Sequence, residues 1–154
     1  MVKLRDIMTA PVVTFDPDIS IHEAAEVLVA EGVGGAPVML HGELLGMVSA
    51  SDLLDFMSSL PAEPDEVRDR TARGILDDHT VEEAMSRTPL RTAPPDLPVP
   101  LAADIMSRDG LHRLPVLDGA RLVGIVSTSD VVSALASRRL DRKVLVFPRR
   151  SRTD

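Results

Sequence analysis

Between residues 20 and 32 the apolar side chains fall at Ile21, Ala24, Ala25, Leu28 and Val29. That spacing puts them on one stripe of a helix. Ser20 opens the segment with Glu23 three residues on, the pattern of a capping box, and Gly32 closes it. The same stripe returns 78 residues later as Val99, Ala102, Ala103 and Met106, with Gly110 in place of Gly32. Short β-prone runs surround both helices. Pro11-Val12-Val13-Thr14-Phe15 precedes the first, and strands 36–40 and 44–49 follow it around the turn His41-Gly42-Glu43. Pro89-Leu90-Arg91-Thr92 precedes the second, and Pro115-Val116 and Leu122-Val123-Gly124 follow it around Asp118-Gly119, a favoured hairpin dipeptide. A further apolar helix starts at Asp52 and again at Asp130.

The pattern is a duplication: β-α-β-β-α, twice. It predicts an α/β (α+β) protein with repeat 1 over residues 3–60, an acidic linker over 61–78, repeat 2 over 79–137 and a basic tail over 138–154. Each helix has one apolar stripe, so neither half can bury its surface alone. Two pseudo-symmetric halves packed sheet to sheet are the expected solution. The register slips by one residue between Met8/Met85 and Pro11/Pro89. The linker predicts a charged helix over 65–76. The run 143–148 reads as a β-like segment able to add an edge strand or pair with another chain.

Composition narrows the chemistry. Aromatic residues make up 2% of the 154 positions, so the core must be aliphatic and stacking platforms for single-stranded nucleic acid are scarce. There is no cysteine, which excludes disulfides, thiolate catalysis and cysteine-bound metal. No apolar run is long enough for a membrane span or a signal peptide, so a cytoplasmic protein without a membrane role is expected. His22, His41 and His79 are scattered, lack metal-ligand spacing and read as surface residues. The net charge of −7 is uneven: residues 138–154 carry +5 and the rest −12. Such a body repels nucleic acid, and the tail alone is a weak sign of a polyanion partner.

The candidate chemistry lies in two matched turns, Gly46-Met47-Val48-Ser49-Ala50-Ser51-Asp52 and Gly124-Ile125-Val126-Ser127-Thr128-Ser129-Asp130. Hydroxyls and amides at a helix start can hold phosphate, and an aspartate one turn in can accept ribose hydroxyls. The same Ser-x-x-Asp spacing is also a capping box that needs no ligand. Both readings stay open on these residues. No acid, base or metal constellation points to catalysis, and Ser127 lacks the surroundings of a nucleophile.

Taken in order, several pieces resemble a tandem pair of CBS domains. They are Asp6-Ile7-Met8 with Pro11-Val12, Ala36-Pro37-Val38 and the first turn, then Glu83-Ala84-Met85 with Thr88-Pro89, His112-Arg113-Leu114-Pro115-Val116 and the second turn. The resemblance implies a disk-like regulatory pair, often called a Bateman module, without catalytic activity. Such pairs commonly dimerise and bind AMP, ADP, ATP or S-adenosylmethionine in clefts between the repeats, reporting metabolite state to a partner protein. It implies ribose binding by Asp130 and Asp52. It assigns phosphate or turn contacts to Ser127, Thr128, Ser129, His112, Arg113, Ser49 and Ser51. Backbone at Thr88, Pro89, Leu90 and Arg91, and at Pro11, Val12 and Val13, would frame adenine. His112-Arg113 stands where the first repeat has Gly34-Gly35, so repeat 2 is the better equipped, since an arginine fork suits phosphate. The alternatives are a ligand-free dimerisation module whose Ser-x-x-Asp turns are only caps, and a nucleic-acid binder acting through the tail.

Overall fold

In the computed structural model the stripe Ile21, Ala24 and Leu28 is buried on one face of a helix that ends at left-handed Gly32. The structure describes residues 1–60, 74, 76–87 and 90–137. The elements in order are α1 (Leu4–Ile7), α2 (Ile21–Glu31), β1 (Gly35–Leu40), β2 (Glu43–Ser49), α3 (Ala50–Ser59), α4 (Val81–Ala84), β3 (Ser86–Arg87), α5 (Val99–Asp109), β4 (Arg113–Asp118), β5 (Arg121–Ser127) and α6 (Thr128–Ala136). The tail and most of the predicted linker helix lie outside the described residues, and residues 76–78 are helical.

The compact units do not follow the repeat boundaries. One unit joins residues 1–11 to 91 onward, and the other runs from 12 to 90. The opening arm of each sequence repeat completes the core of the other repeat's strands. Thr9 bridges Ile125 of β5, and Leu4 and Arg5 donate their amides to the carbonyls of Leu97 and Pro95. In the other unit β3 pairs antiparallel with β2, Gly46 opposite Arg87 and Met47 opposite Ser86. Periodicity cannot reveal this exchange, because it reports which face is apolar and not which neighbour covers it.

The exchange explains the glycine that opens each turn. Neither Gly46 nor Gly124 has a positive φ. A Cβ on Gly46 would overlap the Ser86 carbonyl oxygen, and one on Gly124 would overlap the Met8 sulfur. The glycines let the arm lie against the strand.

The two hairpins match closely. β1 and β2 pair with an irregularity at Val38/Met39, and β4 and β5 pair with one at Val116/Leu117. The predicted opening strand 11–15 shrinks to a single parallel bridge, Phe15 to Val38; of the predicted run 89–92, Pro89 lies outside the described residues, 90–92 form no strand, and the matching bridge falls one residue later, Ala93 to Val116. Prolines limit them: Pro11 and Pro17 bracket the first, and Pro94-Pro95 follows the second, so no longer ladder of donors exists. Ser20 caps α2 by accepting from the Glu23 amide at 3.0 Å, but the Ser20 amide does not donate in return to the Glu23 carboxylate.

Each unit has its own aliphatic core. Leu4, Val99, Ala102, Met106, Leu114, Val116 and Val126 form one; Phe15, Ile21, Leu28, Val38, Val48, Leu53 and Val81 are in the other. At about 25 cal/mol per Å² of apolar surface removed from water, these cores are the main stabilising term. His22 sits between Glu26 and Asp77 at 3.1 and 3.0 Å, and His79 contacts Glu83 and meets Phe56 edge-on. The Thr80 amide, helped by His79, holds the Glu83 carboxyl below its ordinary pKa.

Candidate functional site

Both Ser-x-x-Asp turns fold as reciprocal capping boxes. The Ser127 amide donates to Asp130 Oδ2 at 2.8 Å and the Asp130 amide to Ser127 Oγ at 3.1 Å. Ser49 and Asp52 repeat this geometry at the same distances. The antiparallel hairpin delivers a buried strand straight into a helix, and the box satisfies amides that the first turn would otherwise leave open. Each aspartate gives one oxygen to the cap. For the other oxygen, Oδ1, no hydrogen bond is recorded among the described residues in either copy. Both carboxylates are half-buried, so capping and ligand binding are chemically compatible.

Around the second turn, the Thr128 amide donates to the His112 carbonyl at 3.0 Å, and Arg113 lies opposite Ser127 in the β4–β5 register. His112, Arg113, Ser127, Thr128 and Asp130 are thus brought to one end of the hairpin. Thr128 and Ser129 are exposed at the helix start. In the other unit the Ala50 amide donates to the Gly34 carbonyl at 2.9 Å, so the backbone matches while the side chains differ. Ser49, Ser51 and Asp52 stand there without a histidine or arginine beside them at the β1 start.

The residues expected to frame adenine divide between the two units. Thr88 and Pro89 lie outside the described residues. Leu90, Val12 and Val13 belong to the 12–90 unit, and Pro11 and Arg91 to the other. The Arg91 guanidinium bonds Asp109 at 2.7 Å, which engages its charge at the end of α5.

A cavity of about 480 Å³ opens beside the second turn. Ala103, Met106 and Ser107 of α5, Gly110, Leu111 and His112 of the connection, and Thr128, Val131 and Val132 of α6 line it. Its size falls within the roughly 300–1,000 Å³ of ligand pockets, and its wall is mostly apolar. His112 and Thr128 bring polar groups to its edge. Sequence reasoning does not find Ser107, Val131 or Val132; helical periodicity marks Val131 and Val132 as apolar but not that a gap remains beside them.

The two units are matched α/β modules, each carrying a capped Ser-x-x-Asp turn where an antiparallel hairpin enters a helix. A model of the CBS domain matches residues 4–59 and 81–137. The chain belongs to the CBS domain family and carries two copies of the domain. The CBS domain-containing protein YhcV of Bacillus subtilis is 32% identical over 131 residues, which are 85% of this chain and 84% of that protein. The CBS domain pair of protein MJ0100, solved with 5′-methylthioadenosine and S-adenosyl-L-methionine, matches with a TM-score of 0.74 and 28% identity over 90% of this chain and 98% of its own. CBSX2, solved with AMP, matches with a TM-score of 0.71 and 26% identity over 91% of this chain and 100% of its own. In four further relatives the matched region is 14% to 48% of a longer protein.

Proposed function

We propose that the chain is a non-catalytic regulatory module that binds an adenosine nucleotide, AMP, ADP, ATP or S-adenosylmethionine, through its second CBS domain. Asp130 takes the ribose hydroxyls on its remaining oxygen. Ser127, Thr128 and Ser129, with His112 and Arg113, take the phosphate or its counterpart. Asp52, Ser49 and Ser51 form the weaker copy. The observation that carries this reading is the convergence of His112, Thr128 and Asp130 at one hairpin end beside an apolar cavity. The adenosine ligands of the two solved relatives support it.

Ligand energy would act by favouring one arrangement of the protein, which a partner protein then reads. The cytoplasm is the compartment this role assigns; among the described residues no helix is long and apolar enough to cross a membrane. A homodimer belongs to the same reading. Val29, Leu54 and Met57 expose apolar side chains on α2 and α3, and sedimentation of Leu54→Asp should show a shift toward monomer.

The decisive experiment is thermal unfolding with each nucleotide. A ligand at one hundred times its dissociation constant adds roughly 2.7 kcal/mol. No shift with any of the four at millimolar concentration leaves the second reading: a ligand-free interaction module whose capping boxes are complete in themselves. The two formed boxes are what favours that alternative.

A further inference from the structure

Residues 1–11 and 91–137 hold six basic side chains, Lys3, Arg5, Arg91, Arg108, Arg113 and Arg121. Four of them are bound to carboxylates. Lys3 and Arg5 share Asp96, Arg91 bonds Asp109 at 2.7 Å and Arg108 bonds Asp104 at 3.0 Å. Arg121 stands opposite Asp118 at the far end of the β4–β5 hairpin, about 20 Å along the strand from Ser127. That is well beyond the roughly 8 Å over which physiological salt screens a charge. Arg113, opposite Ser127, is the one lysine or arginine of this unit at the turn end of the hairpin among the described residues. Of the residues that line the cavity, only His112 is ionisable, and a histidine is charged only when protonated. Asp130 adds a negative charge to the same turn, and the hydroxyls of Ser127, Thr128 and Ser129 are neutral.

We infer that the site takes an adenosine bearing a single anionic group, a 5′-phosphate or an amino-acid carboxylate, and discriminates against di- and triphosphates. This rests on the nucleotide reading of the same site. One phosphate or carboxylate can share the Arg113 fork and the turn hydroxyls. Each further phosphate brings a charge for which this unit holds no remaining cation. That charge must also approach Asp130 and a body whose residues 1–137 sum to −12. Unpaired charge is one way in which a site rejects a close analogue of its ligand. AMP and S-adenosylmethionine fall inside this class, and ADP and ATP fall outside it.

The test is titration calorimetry of the full chain, without divalent cations, against 5′-methylthioadenosine, S-adenosylmethionine, AMP, ADP and ATP. AMP and S-adenosylmethionine should bind within about tenfold of each other, and each phosphate beyond the first should weaken binding about tenfold, equivalent to roughly 1.4 kcal/mol. Raising the ionic strength should narrow the gap between AMP and ATP, because salt screens the unpaired phosphates. Ser107 is exposed on α5 and lines the cavity, so Ser107→Lys adds a cation beside the site where a longer side chain has room. That variant should recover ADP by about tenfold relative to 5′-methylthioadenosine, which carries no anionic group. ATP bound as tightly as AMP overturns the inference, and so does a Ser107→Lys variant that gains nothing for ADP; either result leaves the nucleotide reading standing. Failure of all five to bind overturns the nucleotide reading and this inference with it.

Discussion

The 12–90 unit carries sixteen carboxylates against four basic side chains, while the other unit, through Ser137, carries six of each. The strong negative charge of residues 1–137 therefore lies entirely in one compact unit. The two units share hairpin register and capping geometry down to the same 2.8 and 3.1 Å bonds, though only the 12–90 unit adds a third strand. They differ in what surrounds the turn: Gly34 and Ala50 in one, His112 and Thr128 in the other. An anion approaching the first turn meets like charge without a cation beside it. One approaching the second meets a neutral unit with His112 and Arg113 at the strand start. In the proposed reading, a duplicated backbone supplies two candidate sites, and a few side chains with the local field make the second the better suited to a phosphate.

The largest expected effect tests the exchanged arms. Leu4 is fully buried in the core of residues 91–137, and Leu4→Ala should cost about 2–5 kcal/mol. Hydrogen exchange should locate the loss in α5, β4, β5 and α6. If the amides of α2 and β1 open instead, the arm belongs with its own sequence repeat.

Next comes the asymmetry of the turns. Asp130→Ala and Asp52→Ala each remove the same return bond of a capping box while the serine cap remains, so their stability losses should agree, at about 1.5–3 kcal/mol for a hydrogen bond to a charged group. Their effects on nucleotide affinity should not agree. Titration calorimetry should show a loss of roughly tenfold or more for Asp130→Ala, since a hydrogen bond to a charged group contributes about 1.5–3 kcal/mol. Equal affinity losses would remove the distinction between the copies.

The smallest effect separates the two glycines. Gly46→Ala drives a methyl into the Ser86 backbone carbonyl, whereas Gly124→Ala meets first the Met8 side chain, which can turn aside. Overpacking costs about 1–3 kcal/mol, and the Gly46 variant should fall at the upper end, the Gly124 variant at or below the lower. Chemical denaturation of the two variants checks the order.

The helices and hairpins were legible because one apolar stripe per helix and alternating burial per strand leave a clear period. Gly32 and Gly110, both left-handed, end α2 and α5 where expected. Ser49 and Ser127 cap as their spacing implies. The opening strands read too long, because a β-prone run such as Val12-Val13-Thr14 says nothing about whether a donor ladder faces it. Gly46 and Gly124 were visible as motif residues, but their reason, close approach of an arm far away in sequence, is a tertiary fact. The cavity could not be read at all, since a gap is set by how Met106 and Val131 pack and not by their identity.

The crossed arms also impose an order on synthesis. Residues 12–90 form a contiguous stretch that can close its own core as soon as β3 has emerged. Residues 1–11 must wait until Val126 has been made, 115 residues after Pro11, for all their partners among residues 91–126. At about 5–20 residues per second on the ribosome, that wait is roughly 6 to 23 seconds. Throughout it Leu4, Ile7 and Met8 lack their full native surroundings, so a segment made ahead of both units' cores is the last to find its place.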